Sequence, residues 1–201
     1  MTPPAPAYRP NGPRPVWQPD AVHVSTIRLA TETDLQRLVD VEVEAGQLFR
    51  AVGMSAVAED VPQIADLRQA VGAERVWVTC VGAEVAGYIT AEVIDGNAHV
   101  AQVSVAPDYA GRGLGRAMIE FVEAWGRTAG CPATTLTTFR DVPWNAPYYL
   151  RLGYEVLPDS EIGPELARTM EHEASLPGIE ASLRCAMIKP NDGLHPAPPS
   201  H

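Results

Sequence analysis

Long apolar runs are missing from this 201-residue chain. No stretch approaches 18 consecutive apolar residues, so no membrane-spanning helix and no membrane partner are expected. The first 24 residues are proline-rich rather than a basic segment followed by an apolar one, which argues against a secretory leader. Cysteine is scarce. Cys80, Cys131 and Cys185 are an odd number with no Cys-x-x-Cys spacing, which speaks against a disulfide framework and a zinc site. A reducing cytoplasm is the simplest setting, and no metal is expected. Lysine is nearly absent: Lys189 is the only one, and 15 basic residues face 25 acidic ones for a net charge of −10. Binding to phosphate backbones draws on clustered Lys and Arg, so with an excess of the opposite sign nucleic acid is a poor partner and none is expected.

What remains is a globular composition, 46% hydrophobic and 20% charged, on a length that suits one domain. Eleven of the nineteen prolines fall in residues 1–24 and 190–201, segments poor in core-forming side chains. Both are expected to be disordered tails around a domain over 25–189. Within it, Ser25 to Ala30 reads as a strand, and Thr31 or Thr33 can cap a helix carrying Leu35, Leu38, Val39, Val41 and Glu42. Helical pieces follow at Gln47–Val52 and Pro62–Val71. The period then changes. Arg75–Val81, Glu84–Ile94 and Ala98–Ala106 are rich in Val and Ile and predict an antiparallel meander. Asp95-Gly96 marks a tight hairpin, because a type I′ turn needs positive φ at both central residues.

From Leu114, apolar Ala117, Met118, Phe121, Val122 and Trp125 fall on one face of a long helix ending near Gly130. A helix of that length bridges parallel strands, so Ala133–Thr138 is predicted parallel to Ala98–Ala106. A short helix opens at Pro147 and stops at Gly153, strands are read at Tyr154–Leu157 and Ala181–Ile188, and a helical insertion lies at Pro164–Ala174. The turn before the long helix reads Gly111-Arg112-Gly113-Leu114-Gly115-Arg116. A strand, a glycine-rich turn and a helix N-terminus aim several backbone N–H groups at one point, an arrangement suited to phosphate. No Lys-Ser/Thr follows, as a P-loop would require, and Ala117 breaks the dinucleotide-binding pattern.

Val103-Ser104-Val105-Ala106-Pro107-Asp108-Tyr109-Ala110-Gly111-Arg112-Gly113-Leu114-Gly115-Arg116-Ala117-Met118 resembles the acetyl-CoA motif of the GNAT superfamily of N-acetyltransferases. Asn145-Ala146-Pro147-Tyr148-Tyr149-Leu150-Arg151-Leu152-Gly153-Tyr154 is similar to that family's second CoA-side segment. The resemblance covers about residues 25–188, apart from the insertion near 158–178. It implies an α/β fold with a mixed central sheet of about six to seven strands flanked by helices, its two parallel strands splayed at Val103–Val105. Acetyl-CoA is the implied co-substrate. The backbone at Val103 and Val105 would receive the pantetheine arm, with Asn145 near its amides and the pyrophosphate on Gly111, Arg112, Gly113, Leu114, Gly115 and Arg116. The family signature begins with Gln or Arg where this chain has Ala110, which leaves Arg112 or Arg116 to supply charge beside the main-chain donors.

The reaction implied is direct transfer of an acetyl group to a primary amine of a small molecule or peptide. An amine of pKa about 10 needs about 4 kcal/mol to shed its proton at pH 7, so a base or a water relay is required. His99, Glu92 and Asp95 on the meander are candidates; on an unbulged strand His99 would share a face with Val103. Tyr149, at the family's Tyr position, would protonate the departing thiolate, and Tyr148, turned about 100° away, would pack. The acceptor pocket is expected among Glu42, Glu44, Gln47, Phe49 and Arg50 and the loop Phe139, Arg140, Asp141, Val142, Pro143 and Trp144. Acceptor identity and acyl length stay open, as do a homodimer and a non-catalytic acyl-CoA-binding module.

Overall fold

The computed structural model describes residues 25–191. The meander forms as predicted: β2 (Val76–Val81), β3 (Glu84–Ile94) and β4 (Asn97–Val105) pair antiparallel in sequence order, and β1 (Ser25–Leu29) joins the free edge of β2. Positive φ at Asp95 (48°) and Gly96 (76°) closes the β3–β4 hairpin in the conformation its sequence requires. Helix α1 (Leu35–Gly46) follows a first turn at Glu32–Asp34, in which Asp34 accepts the Thr31 N–H at 2.8 Å and binds Arg28 of β1. Those hydrogen bonds, the Arg28 guanidinium foremost, hold the Asp34 carboxyl down to about 2.

The stretch Gln47–Val52, expected to be helical, is a run of 3₁₀ turns, and a four-residue helix α2 (Ser55–Ala58), too short to show a periodicity, precedes α3 (Ile64–Gly72). Helix α4 (Leu114–Thr128) crosses from β4 to β5 (Ala133–Phe139), which lies parallel to β4. Then come α5 (Ala146–Arg151), β6 (Glu155–Val156), α6 (Pro164–Ala174) and β7 (Arg184–Pro190). All seven strands make one sheet in the order β1-β2-β3-β4-β5-β7-β6. Strand β7 begins later than Ala181 because Ala181–Leu183 forms a turn.

Apolar residues alternate between the two faces of the sheet and set the layers. Met118, Ile119 and Val122 of α4 pack with Ile89, Ala91, Val100 and Leu136 on one face. Leu35, Leu38 and Val41 of α1 and Leu67 of α3 pack with Val76, Val78 and Tyr88 on the other. Leu166 of α6 joins Ile94, Leu157 and Ala186 in a smaller cluster. Pro190 and Asn191, placed by composition in the C-terminal tail, belong to the fold instead. Pro190 pairs with Ala133, and buried Asn191 donates to the Cys131 carbonyl and accepts from Thr134. The rest of the two expected tails, 1–24 and 192–201, lies outside the described residues.

Asp95 is taken up by this architecture. Its carboxylate accepts the backbone N–H groups of Glu165 (3.0 Å) and Leu166 (2.9 Å), while Glu165 accepts the Asp95 N–H in return. A hairpin residue thus caps a helix 70 positions away, satisfying donors that the first turn leaves unpaired. Glycine keeps the positive φ at this position, so Asp95→Gly isolates the cap. We expect a loss of about 1–2 kcal/mol in urea unfolding and faster amide exchange in α6. Wild-type values on both measures would show that the cap contributes nothing.

Candidate active site

Strands β4 and β5 pair only through Ala98, His99 and Val100; beyond Val100 they part, while β4 stays paired to β3 as far as Val105. Among the described residues the edge of β4 from Ala101 to Val105 that faces β5 therefore has no strand partner, and Val103 and Val105 stand in that gap. At its end the chain makes a short turn at Pro107–Tyr109, passes Gly111 and Gly113 at φ 75° and 77°, and enters α4. Ala117 makes the first bond of the helix, to the Gly113 carbonyl at 3.0 Å, and no side chain caps it. The N–H groups of Leu114, Gly115 and Arg116 are thereby left pointing out of the helix, with its positive dipole end behind them. A Cβ on Gly111 or Gly113 would meet nothing within 4 Å, so open space lies over the donors. The arginines contribute less than their charge promised. Arg116 pairs with Glu120 at 2.7 Å, and Arg112 donates to the Asp108 carbonyl and lies 5.1 Å over the Tyr109 ring.

Asn145 stands beside the gap at the start of α5. Its backbone carbonyl accepts the Tyr148 and Tyr149 N–H groups, and its side-chain Nδ2 donates to Thr138 Oγ1 at 2.8 Å. Its Oδ1 is buried and has no partner among the described residues. An unpaired buried acceptor is costly, and a ligand amide N–H in the gap would satisfy it. Free main-chain donors at the helix end, an open glycine turn and an orphaned amide oxygen along one path fit a pyrophosphate joined to a pantetheine arm.

Tyr149 is buried on the α4 side, edge-to-face with Tyr148 (5.5 Å) and Tyr154 (5.9 Å). Burial pushes its phenol well above the ordinary value, so it is protonated at neutral pH, as any tyrosine is, and a weaker acid than a free phenol. Among the described residues its hydroxyl has no hydrogen-bond partner. Tyr148, read from sequence as packing alone, also has its hydroxyl beside Gly115, 3.8 Å from where a Cβ would sit. Beneath this pair lies a buried polar knot. The Tyr154 hydroxyl donates to Glu123 at 3.1 Å, and the Lys189 ammonium binds both oxygens of that carboxylate at 3.0 and 2.9 Å.

The meander candidates for the base are placed otherwise than expected. Opposite Thr90 stands Gln102, yet opposite Ala91 stands Val100, so Ala101 is an extra residue and β4 is bulged there. His99 and Val103 consequently fall on opposite faces, which overturns the shared face expected of an unbulged strand. His99 is buried, 3.0 Å from Thr135 Oγ1, and desolvation assisted by the Arg184 charge lowers it to about 4. It is neutral at pH 7. Glu92 faces Arg75 at 4.0 Å, and Asp95 caps α6.

Phe49, Phe139 and Trp144 come together, with ring centroids 5.5 Å apart for Phe49 and Phe139 and 5.8 Å for Phe49 and Trp144. The Arg184 guanidinium covers Phe139 at 4.8 Å while bound to Glu173 and Thr137. Glu44 does not join them; it is exposed and paired with Arg37 at 2.8 Å. Arg140 is exposed, its backbone N–H bonded to the Leu183 carbonyl. Glu42, read from sequence only as part of the pocket lining, is half-buried on α1 and accepts the hydroxyl of Tyr88. Burial, with the Asp60 charge adding, lifts its carboxyl to about 7. The signal lay in its position, a carboxylate directly after Val41 on the edge of an inward-facing apolar stripe.

Among the described residues no helix is long and apolar enough to cross a membrane, and no group of three or more His, Cys, Asp or Glu is placed to hold a metal. The chain is similar in structure to the PaiA N-acetyltransferase of Thermoplasma acidophilum, solved in complex with coenzyme A. That likeness has a TM-score of 0.62 at 16% identity and covers 83% of this chain and 99% of that one. It is likewise similar to the ribosomal-protein-S18-alanine N-acetyltransferase of Escherichia coli, at TM-score 0.58, 19% identity, 83% and 94%. Both share the fold of this chain. In sequence, residues 42–154 match the acetyltransferase (GNAT) family, a span that includes the glycine turn, the broken strand pair and the Asn145–Tyr154 segment. On that match, and with its fold and glycine turn in agreement, the chain belongs to the acetyltransferase (GNAT) family.

Proposed function

We propose that the protein transfers an acetyl group from acetyl-CoA to a primary amine of a small molecule or peptide by direct attack. The observation that carries this reading is the path from the free N–H groups of α4, along the unpaired edge of β4, to the orphaned Oδ1 of Asn145. When bound there, acetyl-CoA supplies an activated acyl carbon and a thiolate leaving group. The N–H groups of the glycine turn bind the pyrophosphate, the β4 edge at Val103 and Val105 and the Asn145 side chain hold the arm, and the gap fixes its direction through the sheet. Phe49, Phe139 and Trp144 line the approach for the acceptor. Tyr149 gives its phenolic proton to the departing sulfur, a transfer decided by its position, since burial makes the phenol a weaker acid.

Release of free thiol during incubation with acetyl-CoA and a panel of amines, amino acids and peptides tests the reading. Binding of acetyl-CoA without thiol release from any of them would make the chain a sensing module instead. Tyr149→Phe keeps the ring and its two edge-to-face contacts and removes only the donor. We expect kcat to fall on the order of 10²-fold with thermal stability and acetyl-CoA affinity unchanged. Single-turnover rates equal to wild type would return Tyr149 to the packing residues.

A further inference from the structure

On the acyl-transfer reading the amine must lose a proton before it attacks, and the groups offered by the meander are engaged elsewhere: His99 with Thr135, Glu92 with Arg75, Asp95 with α6. We infer that Glu42, held by the Tyr88 hydroxyl on the α1 side of the β4–β5 gap, is the group that accepts the acceptor's proton. This inference rests on that reading and assigns a role within it.

The geometry begins with α1. Its apolar stripe of Leu35, Leu38 and Val41 docks on the sheet and leaves Glu42 at the rim, over Tyr88 of β3. Tyr88 lies opposite Ser104, and Ser104 belongs to the length of β4 that β5 has already left. Gln102 Nε2 donates to Ser104 Oγ at 3.0 Å, which extends the polar strip along the same open length. Tyr149 packs with the α4-side cluster, whereas Tyr88 packs with the α1-side cluster. A proton acceptor and a proton donor therefore flank the gap from opposite faces of the sheet.

Protons balance. Of the three on the ammonium nitrogen, one passes to the Glu42 carboxylate before the C–N bond forms and one stays on the amide. The third leaves the nitrogen as the C–S bond breaks and replaces the proton that Tyr149 gives to sulfur.

The surroundings of Glu42 fit the task. Of the elements packed on α1, β3 presents Tyr88 and the turn after α2 presents the like charge of Asp60, while β4 and α3 bring no charged group to it. Arg37 and Glu44 of α1 pair with each other, and Arg50 is held by Gln47 and Glu59. Burial sets the carboxyl at about 7, closer to an amine's value of about 10 than an ordinary carboxylate is, so it takes the proton more readily.

Two measurements test this. Carbon-13 titration of the wild-type protein should show a Glu carboxyl near pH 7 that is missing in Glu42→Gln; a Glu42 that titrates in the ordinary carboxylate range overturns the inference. In wild type, kcat/KM at saturating acetyl-CoA should rise with pH through about 7 as Glu42 loses its proton. Glu42→Gln should lower it on the order of 10²-fold at pH 7.5 and abolish that limb, with acetyl-CoA affinity intact. Tyr88→Phe, which removes a donor to the carboxylate, should move the limb to higher pH and leave the plateau. If Glu42→Gln keeps the wild-type rate and limb, the proton goes elsewhere while acyl transfer stands. If wild type itself releases no thiol with any amine, the broader reading falls, and this one with it.

Discussion

Gly113→Val should weaken acetyl-CoA binding on the order of 10³-fold, about 4 kcal/mol, in a protein that still folds. Gly113 has φ 77° immediately before α4, and a Cβ there would point into open space. Two costs coincide at this residue. A β-branched side chain is an outlier at positive φ, so the turn must shift away from the geometry that aims the N–H groups of Leu114, Gly115 and Arg116 at one point. The isopropyl group would also stand where a phosphate oxygen must approach those donors. Gly113→Ala carries much of the first cost and little of the second, so its affinity should fall between valine and wild type. Calorimetry with acetyl-CoA reads all three proteins, and circular dichroism confirms their fold. An unchanged dissociation constant for the valine variant would remove the pyrophosphate from this turn.

Lys189→Met should cost about 3 kcal/mol of folding stability, at the low end of the range for breaking a buried ion pair because part of the lysine meets solvent. The Glu123 side chain is only 8% exposed, and among the described residues Lys189 supplies its sole counter-charge and the Tyr154 hydroxyl its remaining partner. Removing the ammonium leaves a carboxylate in a pocket formed by α4, β7 and the Tyr154 ring, which cannot hydrate it as water does. Methionine keeps the stem that runs beside Gly153 and Tyr154, so packing loss stays small. The double variant Glu123→Leu with Lys189→Met should recover most of the deficit, since two apolar groups leave no orphan charge. Urea denaturation decides the matter: a single variant within about 0.5 kcal/mol of wild type would mean that the pair is a surface contact.

Much of this molecule was legible before folding because its signals are local. Asp95-Gly96 announces its own turn, α6 occupies Pro164–Ala174 as read, and the spacing from Leu114 to Trp125 outlines α4. The bulge at Ala101 was not legible. It exists only as a mismatch between two strands, and nothing in the residues around Ala101 marks it. That single inserted residue reversed the face on which His99 lies, so a period-two argument failed at the place where it was applied to chemistry. Glu42 escaped for a related reason: its environment depends on Tyr88, 46 positions away, and on a helix docking that composition does not report. The orphaned oxygen of Asn145 could be anticipated only through the family resemblance. Asn191 was hidden by its setting, a polar residue at the edge of a proline-rich stretch that the fold nevertheless fastens to β5.

The near absence of lysine has a chemical consequence for a protein proposed to hold a thioester. Free ε-amines react slowly with such donors without help, whereas a guanidinium, protonated far above neutral pH, does not act as a nucleophile. Here 14 of the 15 basic residues are arginine, and the ammonium of the one lysine is locked against Glu123. The described fold therefore offers its own donor no free lysine, and acyl groups are not drained into lysine side chains of the protein itself. For the same reason, an acetyl-lysine detected in a mixture of this protein with a peptide or protein acceptor would belong to the acceptor, which makes the chain an unusually clean reagent for finding out what it acetylates.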